Sequence, residues 1–171
     1  RAVDLDAFRG WLQRYFDAWA SNDPDRVSSL FAEDAVYSYG PFREETRGRD
    51  AIVRAWVEGG VPSELRTDVE PIAVAGDRGV AHWRVSFRDG SGSAIEMDGI
   101  LVCDFDEAGR CVLHREWYDR HDPPSLPAGT PPLDWCRRPG VDSLSPLEHT
   151  FDSPEKGWWS EETSLSKRYD E

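Results

Sequence analysis

Between Asp4 and Ser21 the apolar residues Leu5, Phe8, Trp11, Leu12, Tyr15, Phe16 and Trp19 recur at helical spacing, with charged and polar residues filling the other face. That pattern predicts a strongly amphipathic helix. The run "SNDPD" that follows stops it and starts another, with Asp23 as N-cap and Pro24 at the first helical position of "PDRVSSLFA". "AVYSYGPF" (35–42) reads as a strand closed by Gly40 and Pro41, and a third helix is expected from Arg49 to Glu58, between Gly48 and the pair Gly59-Gly60.

Beyond that helix the period changes to two. "LRTDVEPIAVAGD", "RGVAHWRVSFRDG", "SAIEMDGILVCDFDEAG" and "RCVLHREWYD" are four strand-like segments joined by turns at Gly76-Asp77, Asp89-Gly90 and Ala108-Gly109. Helices first and antiparallel strands afterwards make an α+β fold. From Asp122 onward proline is dense and no amphipathic period holds, yet Trp135, Phe151, Trp158 and Trp159 recur. We therefore divide the chain into a folded domain over 1–121 and an extended, proline-rich C-terminal arm over 122–171, with a partly disordered tail as the alternative.

Strand alternation sorts the side chains that carry chemistry. His114, Glu116 and Tyr118 share one face of the last strand; Tyr37 and Tyr39 go together on the first. In the segment 80–88, Ala81, Trp83, Val85 and Phe87 oppose His82, Arg84, Ser86 and Arg88, and in the next strand Glu96 and Asp98 share a face with Ile100 and Val102. Periodicity alone leaves open which set points inward.

Composition narrows the classes of function. A formal charge of −13 argues against nucleic acid and anionic membranes as partners. No apolar run approaches the roughly 20 residues of a membrane helix. Three cysteines form no CxxC pair and no even disulfide framework, so a cytoplasmic, reducing setting is expected. There is no P-loop, no GxGxxG and no HExxH, so neither cofactor nor metal is expected. Eight tryptophans suit ordinary core packing, a large apolar cavity or an oligomer interface.

The segment "SNDPDRVSSLFAEDAVY" with "GRDAIV", followed by strands ending "GRCVLHREWYD", resembles the nuclear transport factor 2-like superfamily over about residues 4–121. Its members include SnoaL-like polyketide cyclases, ketosteroid isomerases and limonene-1,2-epoxide hydrolases. The resemblance implies a cone-shaped barrel: a curved antiparallel sheet with helices on its concave face, and a homodimer formed through the outer sheet face. Compared with the epoxide hydrolases, Tyr37 matches a water-holding tyrosine and Glu116 the last-strand aspartate. Arg84 is kept, but Tyr39 stands for an asparagine and Ser86 for an acid. Compared with the ketosteroid isomerases, Tyr15 matches the oxyanion tyrosine and Asp98 lies near the oxyanion aspartic acid, whereas Tyr39 stands for the general base. Neither template is complete; the resemblance implies an inward set of Tyr15, Tyr37, Tyr39, Arg84, Asp98, His114 and Glu116.

The expectation is a cofactor-free acid–base enzyme acting on a small, mostly apolar, oxygen-containing molecule as isomerase, cyclase, dehydratase or epoxide hydrolase. Glu116, Asp98, Arg84 and His114 are its candidate catalytic residues; Tyr15, Trp19, Tyr37, Tyr39, His82 and Tyr118 are its candidate substrate-binding residues. The alternative is a non-catalytic small-molecule-binding or dimeric assembly domain using the same cavity.

Overall fold

The computed structural model describes residues 3–122; apart from Asp122, the expected C-terminal arm lies outside the described residues. The helices are α1 (Leu5–Ser21), α2 (Pro24–Leu30) and α3 (Arg49–Glu58). The strands are β1 (Phe31–Ser38), β2 (Thr46–Arg47), β3 (Ser63–Ala75), β4 (Arg78–Arg88), β5 (Ala94–Phe105) and β6 (Cys111–His121). Local chemistry sets the helix ends. Asp4 caps α1 by accepting from the Ala7 N–H at 2.7 Å, and Asn22 closes it in the left-handed conformation at φ 50°. Asp23 then accepts from the N–H groups of Asp25 and Arg26, with Pro24 at the start of α2.

The strands form one curved six-stranded sheet in the order β2-β1-β6-β5-β4-β3. β3 to β6 are an antiparallel meander, as expected. Two features depart from the expectation. β1 joins the sheet parallel to β6, and the short β2, in a segment to which the sequence reading assigned no strand, pairs with β1. The sheet is open, ending at β2 and β3; curved, with the helices on one face, it has the α+β cone architecture that was expected.

The helices cover one face of this sheet. Phe8, Trp11, Leu12, Tyr15 and Phe16 of α1 bury against Phe31 and Tyr37 of β1, Ala81, Trp83 and Val85 of β4, and Leu101, Cys103 and Phe105 of β5. Each large apolar side chain so buried contributes roughly 1.5–3 kcal/mol relative to exposure. The Trp11 indole N–H donates to the Leu30 carbonyl at 3.3 Å, tying α1 to the end of α2. Two glycines let the layers approach this closely. A Cβ on Gly79 would lie 2.6 Å from the Phe8 ring, and one on Gly99 would lie 2.5 Å from the Tyr118 Cβ.

Candidate functional site

Between the covered face of the sheet, α1 and α3 lies a cavity of about 260 Å³. Phe16 and Trp19 of α1, Trp56 of α3, Trp83 and Phe87 of β4 and Met97 of β5 make its apolar walls. The chain segments Gly59 to Pro62 and Asp89-Gly90 contribute at its edge, and Tyr15, Tyr37, Tyr39, Glu116 and Tyr118 supply its polar surface.

Glu116 is the centre of that polar surface. It sits on β6 opposite Leu101 and is 6% exposed. Tyr37 Oη donates to its Oε1 at 2.7 Å, and Tyr15 Oη donates to the same oxygen at 2.9 Å. The two phenol oxygens lie 2.6 Å from one another. An ionised Glu116 leaves two hydroxyl protons for these three short contacts; a protonated Glu116 supplies the third. Burial pushes the carboxyl up to about 7, against the two donated hydrogen bonds that favour the ionised form. No described residue bonds Oε2, and that oxygen is not sealed from solvent, so it is the one left to face the cavity.

His114 lies behind the carboxyl, fully buried and stacked on Tyr37 at 4.1 Å between ring centroids and on Tyr15 at 5.3 Å. Its Nε2 is 3.7 Å from Glu116 Oε1, too far for a hydrogen bond, and neither ring nitrogen has a partner among the described residues. Burial pulls the imidazole down to about 3, so it is neutral at ordinary pH and the contact with Glu116 is not an ion pair. Burial likewise pushes both the Tyr15 and the Tyr37 phenols well up, and the Glu116 charge adds to it, so both hydroxyls keep their protons. Tyr39 is raised for the same two reasons and packs on Tyr37 in a tilted arrangement, 4.2 Å between ring centroids. Arg43 reaches Tyr118 from the β1–β2 loop, 3.5 Å from its hydroxyl.

The structure therefore brings Glu116, His114, Tyr15, Tyr37, Tyr39, Trp19 and Tyr118 to one place. It takes Asp98, Arg84 and His82 elsewhere, which corrects the inward placement expected for Arg84 and Asp98. Alternation puts Trp83 and Val85 inward on β4, so His82 and Arg84 emerge on the outer face, as does Asp98 between Met97 and Gly99 on β5. There they form their own cluster: His82 Nε2 is 2.6 Å from Asp98 Oδ1, and Arg84 Nε donates to Oδ2 at 2.8 Å. Partial burial raises the Asp98 carboxyl, but the His82 bond and the Arg84 charge outweigh it and hold the group below its ordinary range. The pairing of Glu116 with Arg84 or Asp98 is not formed.

Sequence reasoning missed Trp56, Trp83, Phe87 and Met97 as cavity walls. The signal for Trp83 and Phe87 was the apolar set of β4 itself; for Trp56 there was none, because the amphipathic pattern of α3 gives no hint of what it covers. Among the described residues no group of His, Cys, Asp and Glu is arranged to hold a metal ion, and no helix is long and apolar enough to cross a membrane.

A family model for the SnoaL-like domain matches residues 12–114, ending two positions before Glu116. No curated protein matches the chain in sequence. Among solved structures, an LEH-like epoxide hydrolase of M. tuberculosis is similar in fold, with TM-score 0.56 and 18% identity over 66% of this chain and 82% of that one. The family match spans more than half of the chain, and with the helix order and sheet topology it makes this protein a member of the SnoaL-like domain family, within the nuclear transport factor 2-like superfamily.

Proposed function

We propose that the domain is a cofactor-free acid–base enzyme whose proton-moving group is Glu116, acting on a small, mostly apolar molecule that bears an oxygen. The observation that carries this reading is a carboxyl with one oxygen held by two tyrosines, the other open to an aromatic cavity, and a proton affinity near neutrality. A group that titrates near the working pH can both give and take a proton. Tyr15 and Tyr37 are engaged in holding Glu116 and so position it, while Tyr39 and Tyr118 also line the cavity and are the tyrosines left to meet the substrate oxygen. Isomerisation, cyclisation, dehydration and epoxide opening each need one proton moved at such an oxygen or at the carbon beside it.

Glu116→Gln keeps the shape of the side chain and removes its proton chemistry. On a substrate found by screening, kcat falls by roughly 10²- to 10⁴-fold, while the affinity of an uncharged ligand stays within a few-fold. Unchanged kcat in this variant refutes the role given to Glu116.

A second reading, a binding domain without chemistry, draws on the outward position of Asp98 and Arg84, which leaves Asp89 at the cavity edge as the other carboxyl of the lining among the described residues, with the neutral His114 behind Glu116. It predicts ligand affinity with no turnover in any variant. Both readings are compatible with a cytoplasmic protein whose Cys103 and Cys111 are free and buried, and with a homodimer formed through the outer sheet face.

A further inference from the structure

The chemistry of the cavity wall is one-sided. Among the described residues its lining holds two carboxyl groups, Glu116 and Asp89, and no lysine, arginine or histidine. The aromatic side chains of Trp19, Trp56, Trp83, Phe87, Tyr39 and Tyr118 line the same cavity. An aromatic ring is negative over its face, and several rings around one space attract a cation; the attraction is strongest with tryptophan and where water is excluded. Tyr118 already has such a neighbour on the loop side, with the Arg43 guanidinium carbon 5.8 Å from its ring centre.

The carboxylate at the edge is ionised and fixed. Ser91 Oγ at 2.6 Å, with the N–H groups of Ser91 and Ser93, binds Asp89 Oδ1, and these bonds, with the charge of Arg120, hold the group below its ordinary range. No described residue bonds its Oδ2. At the inner end, the open Oε2 belongs to Glu116, the one group raised to about 7 among the described residues of the wall. Tyr15 from α1, Tyr37 and Tyr39 from β1, Cys103 from β5, and His114 on its own strand face it, and none of these carries a charge at pH 7.

We infer that this cavity selects an organic cation, a compact apolar molecule bearing a protonated amine, over its neutral and anionic counterparts. The ammonium lies against the aromatic faces with Glu116 as its counter-charge, and a ligand anion is rejected because nothing in the lining can neutralise it. The inference rests on the reading that the Glu116 cavity binds a small molecule, but it does not require turnover.

Its test is a matched set of probes, 2-naphthylmethylamine, 2-naphthalenemethanol and 2-naphthoate, titrated into the full chain by calorimetry at pH 8. The amine binds at least tenfold more tightly than the alcohol, and the carboxylate does not bind over the same concentration range. Below pH 7 the amine weakens about tenfold per pH unit, because Glu116 must first lose its proton, while the alcohol does not change. Glu116→Gln brings the amine to the level of the alcohol. An alcohol or naphthoate that binds as tightly as the amine overturns this inference and leaves the acid–base proposal standing. Amine affinity that is flat from pH 5.5 to 8 also overturns it, and that measurement needs no variant. If none of the three probes binds, the inference falls together with the small-molecule reading.

Discussion

Glu116 and His114 are both forced into their neutral forms by burial, and the two effects on stability oppose one another. Glu116 has an ordinary value of 4.5 and is raised to about 7 in the fold; His114 has an ordinary value of 6.5 and is lowered to about 3. Between pH 4.5 and 6.5 the folded pair holds one proton, on Glu116, and the unfolded pair also holds one, on His114. Folding then takes up no net proton at this pair, and its contribution to stability is flat across that window. Removing either partner exposes the slope of the other. In Glu116→Gln, stability falls by about 1.4 kcal/mol for each pH unit lost below 6.5, relative to the parent. In His114→Phe it falls by about 1.4 kcal/mol for each unit gained from 4.5 towards 7. Urea unfolding at four pH values measures both slopes; slopes of the same sign in the two variants contradict the burial assigned to the pair. Glu116 itself was legible through the resemblance of its strand to the superfamily's last strand, since alternation grouped it with His114 and Tyr118 without saying which face is inward, but the two tyrosine hydroxyls bound to it were not legible. Tyr15 and Tyr37 were expected to face a substrate oxygen, and nothing in sequence spacing says that they converge on one carboxylate oxygen across 101 and 79 positions.

The elements themselves were largely written in local pattern. The α1 stripe, the Asp23-Pro24 start of α2 and the four meander strands follow from periodicity and capping chemistry alone. What failed was the choice of face on β4. The apolar set Ala81, Trp83, Val85 and Phe87 faces the core, as burial requires of a sheet covered on one side; assigning Arg84 inward by family resemblance overrode that simpler rule. The parallel pairing of β1 with β6 is a long-range choice that no local pattern encodes. Close approach between strands matters at Gly99, whose missing side chain leaves room for the backbone and Cβ of Tyr118. Gly99→Ala forces β5 and β6 apart and destabilises the domain by roughly 1–3 kcal/mol. It also moves Tyr118 in the cavity wall, so ligand affinity falls with stability; a variant with parent stability contradicts this account.

At the scale of the whole molecule, the two faces of the sheet have separate jobs. The covered face holds the core and the Glu116 cavity; the outer face carries the Asp98 cluster and an apolar strip in which Trp117, 45% exposed, lies opposite Ile100 on β5. If that strip is the interface of a homodimer, Trp117→Glu converts the protein to a monomer in sedimentation equilibrium while leaving the cavity and its ligand binding intact. A parent protein that is already monomeric at high concentration excludes the dimer. None of this bears on the central claim, which is that the fold holds one carboxyl in an aromatic cavity with a proton affinity close to neutrality. The most direct measurement is a carbon-13 NMR titration of the glutamate side-chain carboxyls in the parent protein, with Glu116→Gln used to assign the resonance. The account predicts one glutamate that titrates near pH 7, well apart from the others, and that vanishes in the variant. A Glu116 resonance with its midpoint below pH 5 would contradict it.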